Sequence, residues 1–97
     1  MESSCLELPA NFEDHGWEVE AKGWFSDARI IASGARYPIN FYDPVRLGQQ
    51  IQDELALGRI FFEPNLVVVA AVTRANMETA AKALVQSGGL SSLIAEA

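Results

Sequence analysis

The sequence predicts an α+β fold, a two-layer arrangement with an antiparallel or mixed sheet of about five strands and two helices packed on one face, in the order β-β-β-α-β-β-α. Three observations carry this prediction. Apolar and polar residues alternate from Trp17 onward and again over residues 36–42, the period of a half-buried strand. Two later stretches, ending near Leu57 and Ser87, repeat apolar residues every three to four positions between a capping residue and a glycine, which is the grammar of a helix. Between them, residues 66–72 are all apolar and include three consecutive valines, a composition that suits a covered strand.

Taken in order, residues 1–16 lack sustained periodicity and contain Pro9, Asn11 and Gly16, so they read as an irregular N-terminal arm ahead of a single α+β domain over residues 17–97. In the first strand Trp17, Val19 and Ala21 face one way and Glu18, Glu20 and Lys22 the other. Gly23 suggests a bulge before Trp24 and Phe25, and Ser26-Asp27 has turn chemistry that would start a second strand. Ser33-Gly34 marks the next turn, and residues 36–42 follow with Tyr37, Ile39 and Phe41 on one face. Pro38 cannot donate to a ladder, which favours an edge position for that strand.

Asp43-Pro44 is a helix start, because the carboxylate can accept an orphan backbone N–H while the ring of proline presets φ. Leu47, Ile51 and Leu55 recur every four residues as the buried stripe, Gly48 permits close approach to the sheet, and Gly58 suits a left-handed C-cap. Residues 59–62 and 66–72 then read as a hairpin joined by Glu63-Pro64-Asn65, its second arm central in the sheet. Thr73 caps a helix over residues 74–87 with Met77, Ala80, Ala81, Leu84 and Val85 inward, ended by Gly88-Gly89. Residues 90–97 are a final strand or a docked tail anchored by Leu93 and Ile94. As a strand they would give residues 36–94 the ferredoxin-like order, the alternative architecture.

Composition narrows the function classes. Of the 97 residues, 49% are hydrophobic, which fits a folded domain small enough to gain from covering its surface by self-association, so a homodimer is expected. The longest apolar run, residues 66–72, is far short of the ~20 residues a spanning helix needs, and Met1 to Cys5 shows no secretory signal, so no membrane and a cytoplasmic location are expected. The net charge of −6 lies wholly in residues 1–27, where Glu2, Glu7, Glu13, Asp14, Glu18, Glu20 and Asp27 face Lys22 alone. The remaining arginines are scattered, so nucleic acid is a poor partner and a basic protein a better one.

No catalytic residue, metal ligand or cofactor emerges. His15 is the sole histidine and Cys5 the sole cysteine, without the further groups that a metal site or a thiol-imidazole pair requires, and no glycine spacing matches a phosphate-binding loop. The paired carboxylates Glu13-Asp14 and Asp53-Glu54 diverge rather than converge. The leading expectation is therefore a non-enzymatic protein-protein interaction module using the acidic aromatic segment Trp17, Glu18, Glu20 and Trp24. The second is a small-ligand-binding domain whose pocket between sheet and helices is lined by Tyr37, Phe41 and Tyr42.

Overall fold

The computed structural model describes residues 5–97. Its first elements overturn the irregular arm, whose residues 1–4 lie outside the described range. Leu6–Glu7 form strand β1, paired antiparallel with Ile30 and Arg29, and Phe12–Lys22 form helix α1. The period-two reading of residues 17–22 fails because the register is helical: Phe12 and Val19, two turns apart, are buried, while Trp17 is 72% exposed. Gly16 lies between them, where an added Cβ would sit 3.6 Å from the Phe12 ring. Gly23 ends the helix with φ of 73° instead of bulging a strand, and its N–H bonds the Val19 carbonyl at 2.9 Å.

Trp24–Ala32 is one strand, β2. Ser26 and Asp27, which read as a turn, are taken up by an irregularity between Phe25 and Ala28, where the register against the next strand shifts. The extra residue lets Phe25, Ala28 and Ile30 all meet the core despite their spacing. Ser33 and Gly34, with φ of 53° and 79°, make the tight turn into β3, Ala35–Tyr42. Pro38 does not put β3 at an edge. The strand lies between β2 and β4, but β4 pairs only with residues 40–42, so the missing N–H costs no ladder bond.

Asp43 accepts from the Arg46 N–H at 2.7 Å and starts α2, Pro44–Ala56, which closes before Gly58 at φ 77°. The expected hairpin of residues 59–62 with 66–72 is absent. Residues 59–62 are not a strand, and the apolar run supplies only β4, Leu66–Val68, parallel to β3 at the edge of the sheet. A parallel neighbour needs a crossover, and α2 is that crossover. Thr73 Oγ1 accepts from the Asn76 N–H and starts α3, Arg74–Ser87, which ends at Gly88 with φ of 80°. A 3₁₀ turn over Gly89–Ser92 follows, and the chain ends as a docked tail, which removes the strand the ferredoxin-like order required.

Among the described residues the result is a four-stranded mixed sheet ordered β1-β2-β3-β4 with three α-helices, in place of about five strands and two helices. One core joins Phe12 and Val19 of α1, Ala28 and Ile30 of β2, Ile39 and Phe41 of β3, Val72, and Met77 and Ala81 of α3. Phe12 meets Phe25 edge-on at 5.3 Å. The helices that build this core are α1 and α3, whereas α2 contributes no buried residue. An added Cβ at Gly48 would meet nothing within 4 Å, so this glycine is not there for close approach to the sheet. Among the described residues no helix is long and apolar enough to cross a membrane.

Candidate interaction surfaces

Helical geometry splits the acidic aromatic segment. Trp17 shares a stripe of α1 with Glu13, four residues before it, and Glu20, three after. Glu13 is tied to α3 by Arg74, whose guanidinium also lies over the Phe12 ring at 5.6 Å. Glu18 sits on another stripe, its Oε1 3.0 Å from His15 Nδ1, and lines a groove of about 310 Å³ with Trp24 and Phe25. Trp17 with Glu20 and Glu18 with Trp24 are thus two neighbouring surfaces. Cys5 is half-buried against the core, and no group of three or more His, Cys, Asp or Glu among the described residues could hold a metal ion.

The aromatic residues of β3 do not converge either. Strand alternation sends Tyr37 and Phe41 toward the core, where Phe41 is wholly buried, and Tyr42 to the opposite face. There Tyr42 packs edge-on against Phe61, with ring centres 6.4 Å apart, and its hydroxyl donates to Glu63 Oε2 at 2.9 Å. Burial first, and then this bond to Glu63, push the Tyr42 hydroxyl up to about 12. Tyr42 is therefore a pin that holds the segment after α2 to the face of the sheet opposite α1 and α3.

The stretch that this pin holds carries several exposed large hydrophobics. Leu47 and Ile51 are only half-buried and lie outside the core. Beyond them Leu55 is 59% exposed, Leu57 64%, Ile60 81% and Phe62 76%, and Val68 of β4 is also exposed. Together the four side chains from Leu55 to Phe62 expose on the order of 500 Å² of apolar surface within eight residues of chain. The charges within this stretch are Arg59 and Glu63, and Arg59 Nε also bonds Glu54 Oε1 at 2.8 Å. The sequence hid this surface because Ile60, Phe61 and Phe62 read as a paired strand, in which two of the three would have been covered. No family model, no curated protein and no solved structure matches the chain.

Proposed function

We propose that this chain is a non-enzymatic interaction module that acts as a homodimer, joined through residues 55–62 and the adjoining face of α2. The observation that carries this reading is an amphipathic helix with no fully buried residue, whose last turn and following segment carry four exposed large hydrophobics. A second copy is the occupant that the charge distribution favours. The net charge of −6 resides in residues 1–27. Of these, Glu7 lies in β1 and Glu13, Asp14, Glu18, Glu20 and Lys22 in α1, while β4 lies at the opposite edge of the sheet. Pairing through the neutral end keeps the acidic ends apart. The exposed patch covers more than half of the ~800 Å² per partner that a standard interface buries, and the flank of α2 with the β4 edge supplies the remainder.

Such a dimer displays two copies of the Trp17 and Glu20 stripe, with Glu18 and Trp24 beside it, as the surface for a basic protein partner. Sedimentation velocity tests the first step. The wild type should form a dimer over micromolar concentrations, with little dependence on salt, and Phe62→Glu should shift it to monomer without loss of helical signal. A wild type that stays monomeric to about 100 µM, where any interface of functional strength would be populated, overturns the proposal. So does a folded Phe62→Glu variant that still dimerises.

A further inference from the structure

The flank of β3 that β4 fails to cover is occupied by the chain's own tail. The Glu96 N–H donates to the Arg36 carbonyl at 2.8 Å, as a neighbouring strand would. Asn65, in the left-handed region with φ of 54°, turns its side-chain amide onto the same segment. Its Nδ2 donates to the Pro38 carbonyl at 2.7 Å and to the Ile94 carbonyl at 2.7 Å, and its Oδ1 accepts from the Ile94 N–H at 2.8 Å. A side-chain amide that both donates to and accepts from one residue's backbone reproduces a ladder pair, and it reads chain direction without reading the side chain.

Charge supplies the second recognition element. Arg29 and Arg36 alternate with the core-facing Ile30 and Tyr37, so both emerge on the open face of the sheet. Arg29 Nε donates to Glu96 Oε2, and Arg36 Nε lies 3.4 Å from Oε1, while Nη2 of Arg36 is held by Glu7 at 2.6 Å. In the tail itself Leu93 packs against the core, while Ile94 is 65% exposed. A cleft of about 380 Å³ toward β1, lined by Glu7, Leu8, Pro9, Asp27, Arg29 and Arg36, shares the two arginines with the tail, while Asn65 and residues 94–96 do not line it.

We infer that this flank is a docking groove for an extended peptide bearing a glutamate two residues after the residue clamped by Asn65, and that residues 94–96 occupy it in cis, in competition with such a segment of a protein partner. The groove shares no residue with the proposed dimer surface, so each stands or falls alone. The test uses the full chain with Glu96→Lys, which sets a third cation beside Arg29 and Arg36 and expels the tail. The probe is a blocked hexapeptide with the sequence of residues 92–97, compared with the same peptide carrying glutamine for glutamate, in a ¹⁵N chemical-shift titration that follows the Asn65 side-chain amide.

The variant should bind the glutamate peptide about tenfold more tightly than the glutamine peptide, with the Asn65 amide shifting, because one carboxylate shared by two arginines separates them. The wild type should bind at least about tenfold more weakly than the variant, since its own tail competes at a millimolar effective concentration. Equal affinity for the two peptides, absence of binding to the folded variant, or binding that leaves Asn65 unmoved would each overturn the inference. Should Glu96→Lys not fold, Glu96→Gln in the full chain is read by the same criteria.

Discussion

Replacing Tyr42 by phenylalanine removes one oxygen and leaves the ring that packs against Phe61. The lost bond is one to a carboxylate, of the kind worth ~1.5–3 kcal/mol, and Glu63 can ill spare it because its other oxygen is buried without a partner. A cost of about 2 kcal/mol follows, or roughly a 10 °C fall in Tm for a domain of this size. The titration of the hydroxyl, raised first by burial and then by this same bond, gives a second figure. Its value rises from an ordinary 10 to about 12, so the unfolded chain loses this proton before the folded one does. The stabilisation is therefore complete below pH 10 and is lost as pH rises toward 12, with a ceiling of roughly 3 kcal/mol.

Urea unfolding of wild type and Tyr42→Phe at pH 8, 10 and 11 joins the two figures. The gap in stability should be largest at pH 8 and narrow steadily above pH 10, because only the wild type has a hydroxyl to lose. A gap independent of pH, or a variant as stable as the wild type at pH 8, would show that the Tyr42 bond to Glu63 does not hold the segment after α2 in place.

Two glycines should respond in opposite directions. Gly48→Ala in α2 meets open space and should raise stability by about 0.5–1 kcal/mol in a dilute thermal melt, through helix propensity alone. Gly23→Ala should lower stability by more than about 1 kcal/mol, because φ is 73° and the new Cβ would fall 2.5 Å from Asp43 Oδ2. The same melts decide both, and loss of the Asp43 cap in the second variant should also reduce helical ellipticity.

Signals held within a few residues were legible in the sequence. Asp43, Thr73, Gly58 and Gly88 all take the capping roles their chemistry suggested, and Ser33-Gly34 turns where expected, since a cap or a tight turn needs no distant partner. Signals that depend on a partner were misread. Residues 17–22 alternate as a strand would, yet Val19 answers to Phe12 seven residues earlier, and Asn11 gives no side-chain bond to announce the helix. Residues 66–72 carried the right composition for a strand but could not declare that their partner lay across a helix and ran parallel. For the candidate surfaces, Trp17 is exposed and Trp24 half-buried on different elements, whereas Ile60 and Phe62, expected in a strand, join no sheet. Asn65 was read as part of a turn, and nothing nearby in sequence tells of the tail it clamps.

The two-residue turn at Ser33-Gly34 also sets a timetable. The β2–β3 pairing closes across this turn, while β1 must wait for the whole of α1 to be spanned and β4 for α2 and the segment beyond it. Loop-closure entropy puts the hairpin first, and α1, already synthesised, can at once lay Phe12 and Val19 over Ala28 and Ile30. Met77 and Ala81 come only with the last helix. A nascent chain halted between the hairpin and α3 therefore presents Ile39 and Phe41 to solvent or to a chaperone, a stage open to misassembly.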